Sequence, residues 1–445
     1  MHKGASAEIL KALEDLRVPK EFARYEDHSE AEIIVRLEQW KQNACNVLSA
    51  LRETIRSNAR DTRGEEHELV YCVSSFDGEG PWVLDTSRTI ARDILASFEN
   101  AEIGLLERIL RDLVKPIFAV NPHPSINAET GRKLARPAGG PMGHLDYLEG
   151  QEWKSHPELF NVISWCLSHT DSRSVERLWH LFIPPTMTYL DDYQAAYKLQ
   201  GVGLASQLLE VAPPELLRRT GIDILLTTSL KTCLTFLHNS QTPDLIRSAA
   251  RVYIRLVKYT TTPGSAAQFD LLCSLLGESI IGSVWVYASR DLDAIQASVD
   301  VIPDVVEALD IGASRYLKAL IPQLVFPLIP GPGNDYSAAY KMTAVRALCS
   351  VITTCRPRIH KWRGAILEGI LKCWVNLAET GPNTEGDPAL QAELRTACAV
   401  LAEACRPAAP EIDAEMRELL SLDPTLFGPM LQPLLVNDAC SQAHY

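Results

Sequence analysis

Apolar residues recur every three or four positions along most of the chain, which is the spacing that places them on one face of an α-helix. From about residue 172 to the C-terminus this pattern is nearly continuous, and it is interrupted at intervals by Pro and Gly. Because such interruptions separate antiparallel helices, the pattern predicts a series of helix pairs. The predicted pairs are 175–190 with 194–211, 214–237 with 243–259, 265–287 with 292–309, 316–328 with 338–354, and 360–379 with 388–405.

A short motif occurs twice at the turn between two such helices. Residues 192–198 read DYQAAYK and residues 335–341 read DYSAAYK. Two copies of one unit, separated by other helical pairs, indicate stacked helical repeats. No run alternates apolar and polar residues as a sheet strand would. The sequence therefore predicts an all-α fold, a HEAT-like α-solenoid of antiparallel helix pairs with a long irregular loop near residues 120–157.

The motif residues are predicted to build the turn of the repeat. Asp191 and Asp192 resemble a pair of catalytic carboxylates, but their place between two helices favours capping. Lys198 and Lys341 are expected to contact an Asp or the free carbonyls of a helix C-terminus, as an exposed pair that adds little stability. A catalytic pair would not need to be repeated later in the chain. The predicted turn residues are Asp191, Asp192, Tyr193, Lys198, Asp335, Tyr336 and Lys341.

The segment 119–157 interrupts the helical pattern, because it is rich in Pro and Gly and has no periodicity. A loop of this length in a folded protein is usually functional or disordered. We therefore expect three parts, namely an N-terminal helical region (1–118), this irregular loop (119–157) and the helical repeats (158–445). The loop and the C-terminal helices are the first places to seek a partner surface.

Trp153 is less easily assigned to a core than the other Trp residues, and an exposed aromatic in such a loop would be a good interface anchor. Trp362 falls mainly on an apolar stripe, which favours the core, although its helix is also a candidate surface. The candidate partner-binding residues are Arg132, Lys133, Trp153, Lys154, Trp362 and Arg363. The loop also holds side chains able to bind metal, namely His123, His144, Asp146, Glu149, Glu152 and His156. Their spacing matches no common site, so no metal is predicted.

Composition narrows the function. The net charge of −13 would repel nucleic acid and anionic membranes, and it favours a protein partner with a basic surface. The 11 cysteines are scattered without a C-x-x-C pair, which indicates a reducing compartment. The N-terminus has no apolar leader, so we expect a cytoplasmic protein with a further share in the nucleus. Nucleotide-binding, hydrolase and zinc-protease motifs are absent, so neither an enzyme nor a cofactor is predicted.

Five segments in order resemble one known family. They are residues 123–134, 153–167, 181–193, 213–222 and 360–377. Together they are similar to the Tel-two-interacting protein two family, in a fungal-looking version, over roughly residues 100–405. The resemblance implies a HEAT-like scaffold without enzymatic activity, the third subunit of the TTT cochaperone complex.

The resemblance also implies partners. These would be Tel-two and Tel-two-interacting protein one, and through them the PI-three-kinase-related kinases (TOR, ATM and ATR type) and the ninety-kilodalton heat-shock chaperone. Two other hypotheses remain open. One is an α-solenoid adaptor of another class, such as a nuclear-transport receptor or a phosphatase scaffold. The other is an enzyme that uses the irregular loop, with zinc held by His123 and His144.

Overall fold

The computed structural model describes residues 2–24, 31–57, 65–139, 147, 150–331, 336–380 and 387–441. Nearly all regular structure in these ranges is helical, and the strands form one antiparallel ladder of two residues each. The predicted all-α, solenoid-like class is therefore confirmed. The chain divides into two compact units, Met1–Ser229 and Leu230–Tyr445. The predicted three-part division by sequence character stays a prediction.

Among the described residues, ten helices lie wholly within the first unit, and the unit boundary falls inside an eleventh. The helices are α1 (His2–Asp15), α2 (Ala31–Ser57), α3 (Glu66–Ser74), α4 (Asp85–Leu95), α5 (Ile103–Arg108), α6 (Lys115–Phe118), α7 (Leu159–Ser168), α8 (Val175–Leu190), α9 (Ala195–Val211), α10 (Pro214–Thr220) and α11 (Ile222–Cys233) in the described residues. Between α6 and α7 lie the strands β1 (Ile126–Asn127) and β2 (Arg132–Lys133). Helix α9 packs against both α8 and α7, and α2 packs against α1 and α4.

The second unit continues the same plan. Its described helices are α12 (Thr242–Thr260), α13 (Ala266–Cys273), α14 (Trp285–Tyr287), α15 (Leu292–Asp300), α16 (Ile302–Leu309), α17 (Leu317–Val325), α18 (Ala338–Thr354), α19 (Arg356–Ile359), α20 (Arg363–Thr380), α21 (Asp387–Cys405), α22 (Ile412–Leu422) and α23 (Pro424–Ser441). Helix α12 packs against α15, α18 against α21, and α20 against α21. Helices are present over each predicted range, although several predicted helices are split into two shorter ones.

Short helical turns of other types join these elements. The 3₁₀ turns are Lys20–Arg24, Ala96–Phe98, Glu152–Ser155, Asp310–Tyr316, Phe326–Leu328 and His360–Trp362. Two π-helical stretches, Ile109–Val114 and Ser274–Val284, continue α5 and α13. The irregular segment is thus not wholly irregular, because it contains the β1–β2 ladder and the turn at Glu152–Ser155.

Ion pairs connect successive helix pairs of the second unit in a regular way. In each pair an Arg reaches an acidic residue 47 to 53 positions later, about one helix pair further on. The pairs are Arg247 with Asp300 at 2.6 Å, Arg251 with Asp304 at 3.2 Å, Arg346 with Glu393 at 2.7 Å, Arg356 with Glu403 at 3.0 Å and Arg363 with Glu415 at 2.9 Å. Such surface pairs contribute only about 0–1 kcal/mol each. Their regular spacing marks the repeat, while the buried apolar faces supply the stability.

In the described part of the chain, the run Ala266–Tyr287 is long and apolar enough to span a membrane by length and composition. Only 33% of its most apolar window is buried in the protein. The run carries Glu278, whose carboxylate pairs with Lys231 at 2.8 Å. Because core helices of proteins that never meet a membrane pass the same test, this run alone assigns no membrane role.

Candidate functional site

The first copy of the repeated motif lies at the turn between α8 and α9, where the two helices approach very closely. A Cβ atom added at Gly201 would lie 2.3 Å from the backbone nitrogen of Leu190 and 2.7 Å from the carbonyl carbon of Tyr189. Real Cβ atoms do not make contacts of that length, so only glycine fits at this crossing. Helix α8 continues through Pro184 and Pro185 and ends at Leu190, with Asp191 as its C-cap.

Lys198 fixes the end of α8. Its ammonium group donates to the carbonyl oxygen of Leu190 at 2.8 Å. The last carbonyls of a helix lack partners within the helix and carry partial negative charge, so a cation stabilises them. The predicted contact with a helix C-terminus is confirmed. The predicted exposure is wrong, because Lys198 is only 2% exposed, enclosed where α9 crosses α8.

Asp192 connects this turn to the irregular segment. One carboxylate oxygen accepts from the backbone N–H of Gln194 at 2.8 Å, which closes the turn just before α9. The N-cap residue of α9 is Gln194, so Asp192 shapes the turn as predicted but does not cap the helix. The other carboxylate oxygen pairs with the Lys154 ammonium at 2.6 Å. Asp192 is buried, so this pair is shielded from solvent. A shielded pair is lost at a higher cost than a surface pair, because breaking it leaves a buried charge without compensation.

Aromatic rings surround the same ammonium group. The Lys154 nitrogen lies 4.0 Å from the centre of the Tyr193 ring, 5.2 Å from that of Tyr197 and 5.5 Å from that of Trp153. These distances are within the range of cation–π attraction. Tyr193 is 54% exposed and forms the outer edge of the group.

Trp153 lies inside the fold, so the prediction of an exposed interface anchor is wrong on this point. Its side chain is 2% exposed. Its ring lies 4.5 Å from that of Tyr189, 4.8 Å from that of Tyr197 and 6.0 Å from that of Phe118. The indole N–H donates to the side-chain oxygen of Gln151. Sequence reasoning failed here because an aromatic residue in a loop without periodicity gives no sign of the surface that covers it.

His123 holds the other end of the segment against the same turn. Its Nδ1 accepts from the backbone N–H of Ser125 at 3.2 Å, so Nε2 carries the ring proton and donates to Asp191 at 3.0 Å. Burial by itself raises the pKa of Asp191, but hydrogen bonds from His123 and Ser229 and the neighbouring Lys198 charge outweigh it. The pKa of Asp191 is therefore lowered from its ordinary value. No spacing rule predicts this pairing, because the partners are 68 residues apart.

Both ring nitrogens of His123 are engaged, so the loop metal site would require this pairing to be broken. Among the described residues, no group of three or more His, Cys, Asp or Glu side chains is arranged to hold a metal ion. His144, Asp146 and Glu149 lie outside the described residues. Glu152 and His156 are described, and their side chains lie 3.6 Å apart.

Arg132 and Lys133 form strand β2 and are both exposed. The hairpin is attached to the unit through Trp179, whose indole N–H donates to the carbonyl of Gly131 at 3.1 Å. Lys133 lies against the turn at Gly221. A Cβ atom added at Gly221 would be 3.2 Å from the Cβ atom of Lys133. The hairpin therefore presents two cations to solvent from a fixed position.

The second copy of the motif lies in the second unit, before α18. Ser337 caps α18 by accepting from the backbone N–H of Tyr340 at 3.2 Å. Tyr336 contacts the rings of Tyr340 at 5.3 Å and of Phe326 at 6.0 Å. Lys341 is partly exposed, and within the described part of the chain its ammonium group donates to no carbonyl, so the predicted contact with a helix C-terminus is not made by this copy. Asp335 lies outside the described residues.

Trp362 and Arg363 stand elsewhere in the second unit, at the start of α20. Trp362 is partly exposed, which agrees only in part with a core position. Arg363 donates to the carboxylate of Glu415 at 2.9 Å and so takes part in the ion pairs between repeats. The six candidate partner-binding residues are therefore divided between the two units, with four in the first and two in the second.

The fold and these turns assign the chain to a class of protein. It is a stack of antiparallel helix pairs, and its polar turn residues cap helices and join repeats. A family model described as the Tti2 family matches residues 69–333, more than half of the chain. The chain belongs to the Tti2 family, that of Tel-two-interacting protein two, and the resemblance found in the sequence is confirmed. The family is one of scaffold and cochaperone subunits in the general setting of the TTT complex.

Proposed function

We propose that this chain is a non-enzymatic scaffold subunit of the TTT cochaperone complex. In that role it binds Tel-two-interacting protein one and Tel-two. The complex supports the folding, assembly and stability of PI-three-kinase-related kinases together with the ninety-kilodalton heat-shock chaperone. The observation that carries the proposal is family membership over residues 69–333. This range contains the whole first turn and the segment 119–157 that packs against it.

The architecture agrees with this role. Stacked helix pairs offer extended surfaces for binding other proteins, and their turn residues are used for capping and for joining repeats. The polar residues of the first turn make structural contacts within the protein. Lys154 pairs with Asp192, and Lys198 donates to the last carbonyl of α8. The net charge of −13 favours partners with basic surfaces. We also propose a cytoplasmic location with a nuclear share, to be checked by microscopy of a tagged chain.

Purification of the tagged full chain at its native level tests the proposal. We expect Tel-two-interacting protein one and Tel-two to be recovered in amounts comparable to the bait. Recovery of neither partner would refute the assignment. A preparation dominated by Ran-type GTPase or by phosphatase subunits would instead support an adaptor of another class.

Depletion of the chain tests the client kinases separately. We expect the protein levels of TOR-, ATM- and ATR-type kinases to fall while their messenger RNA levels stay unchanged, because the defect is in folding and stability. Kinases of unrelated families are the control and should keep their levels. An equal fall in both groups would mean that the effect is general and not that of this cochaperone complex.

A further inference from the structure

Three aromatic rings meet beside the second copy of the motif, and two of them reach the surface. Phe326, Tyr336 and Tyr340 are in contact in series, with edge-to-face geometry at ring distances of 6.0 and 5.3 Å. Tyr340 is buried, Tyr336 is partly exposed, and Phe326 is 49% exposed. Phe326 and Tyr336 therefore place two neighbouring aromatic rings at the surface. Contiguous apolar surface marks contact sites, whereas single exposed apolar residues do not.

The first copy shows what this kind of surface holds. There the aromatic residues Tyr193 and Tyr197 receive Lys154, whose ammonium lies 4.0 and 5.2 Å from the two ring centres. The adjoining Trp153 packs on Tyr197 at 4.8 Å and is buried. The same chain therefore contains the motif with an aromatic–Lys dipeptide seated on it.

No such dipeptide covers the second copy within the described ranges. Neither Tyr336 nor Tyr340 has a Lys or Arg over its ring there, and their ring contacts are only with each other and with Phe326. The two tyrosines pack directly on each other, whereas in the first copy Lys154 lies over both equivalent rings. Residues 332–335 lie outside the described part and contribute nothing to this argument.

We propose that the aromatic cluster of Phe326, Tyr336 and Tyr340 is a docking site for a segment of a partner protein in which an aromatic residue adjoins a Lys or Arg. The partner segment supplies in trans what Trp153 and Lys154 supply in cis to the first copy. Its cation lies over the partly exposed ring of Tyr336 and its aromatic ring packs on Phe326. The chain's net charge of −13 favours a basic segment over an acidic one.

The inference does not depend on which complex contains the chain. If the partner is a TTT subunit, the site deepens the proposed function by naming the chemistry of the contact. The two ideas also fail separately. Co-purification tests the complex, whereas the identity of the residues that touch Phe326 tests the docking site.

Site-specific photo-crosslinking in the assembled protein tests the proposal. The amino acid p-benzoylphenylalanine replaces Phe326 in the tagged full chain, keeping an aromatic ring at an exposed position. The matched control carries it at Tyr287, which is 69% exposed in the same unit but outside the motif. After irradiation, the crosslinked partner peptide is sequenced by mass spectrometry.

The expected product at position 326 is a peptide with an aromatic residue next to Lys or Arg, formed in higher yield than any product at position 287. Adding Tyr336→Ala should lower this yield by about three- to tenfold, the loss expected for one cation–π contact. Tyr336→Phe keeps the ring and should preserve most of the yield. Thermal unfolding of each variant checks that the fold is intact.

Three outcomes would overturn the proposal. The first is a crosslink to an acidic or purely aliphatic segment, and the second is a crosslink only to another copy of this chain. The third is a yield at position 326 no higher than that at position 287. Equal yields from Tyr336→Ala and Tyr336→Phe would also count against it, because the tyrosine ring would then play no part.

Discussion

In the first copy of the Asp-Tyr motif, a Trp–Lys pair from the segment before α7 covers the turn, whereas the described part of the second copy has no such cover. The first turn is buried, with Lys198 only 2% exposed. In the second, Lys341 is partly exposed and the neighbouring Phe326 is 49% exposed. Nearly identical sequences therefore take different roles, because a separate segment decides whether each turn is enclosed or presented to solvent.

The helix crossings differ as well. At the first copy the close approach of α8 and α9 requires Gly201. The equivalent position after the second copy is Ala344, which is buried. A methyl group is thus accommodated in one repeat and excluded from the other. The two repeats share one arrangement of helices, and the helices approach more closely in the first copy.

Trp153→Ala should have the largest effect on stability. Removing a buried tryptophan that contacts three rings is expected to lower the free energy of unfolding by about 3–5 kcal/mol. The matched change Phe326→Ala removes a half-exposed ring and should cost about 1 kcal/mol or less. Urea unfolding of the full chain compares the two. Similar losses would mean that both turns are equally enclosed.

Gly201→Ala is expected to have the second-largest effect on stability. The added methyl would lie within 3 Å of the α8 backbone, so the helices must separate, at a cost near the upper end of about 1–3 kcal/mol. The reverse change in the second copy, Ala344→Gly, should cost about 1 kcal/mol through helix propensity and lost packing. Hydrogen exchange of α8 and α9 provides the measurement. Unchanged protection in Gly201→Ala would contradict the close crossing.

Replacing each lysine of the motif by methionine, in Lys198→Met and Lys341→Met, compares what the two lysines contribute to stability. The buried lysine donates a charge-assisted hydrogen bond to Leu190, so its loss should destabilise the first unit by about 1.5–3 kcal/mol. Lys341→Met, at a partly exposed position, should change stability by about 0.5 kcal/mol or less. Thermal unfolding of both variants decides the comparison. Equal effects would show that both lysines have the same role.

The acid dependence of Asp191 is the smallest expected effect. Its pKa is lower in the folded protein than in the unfolded chain, so its carboxylate stabilises the fold above about pH 4. This contribution is lost as the pH falls through the lowered folded-state pKa. The stability difference between the protein and Asp191→Asn should therefore be constant from neutral pH to about pH 4 and shrink below it. Urea unfolding across this range measures the difference, and one that does not vary with pH would exclude the role.

The sequence by itself determined the helical class and the existence of a repeat. Apolar spacing marks helices such as α8 and α9, and Pro and Gly mark the turns between them, since both signals depend on local backbone geometry. The duplicated motif identified the turn and the role of Lys198 at the end of a helix. These are contacts between neighbours in sequence, which local rules describe well.

Only the tertiary structure decided what covers each turn. The pairing of His123 with Asp191, of Lys154 with Asp192, and the burial of Trp153 join a segment without periodicity to helices far along the chain. Burial is a property of the space around a side chain, and that space is filled by residues whose sequence positions carry no common period. For this reason nearly the same seven-residue pattern forms an enclosed turn in one unit and borders a partly exposed aromatic cluster in the other.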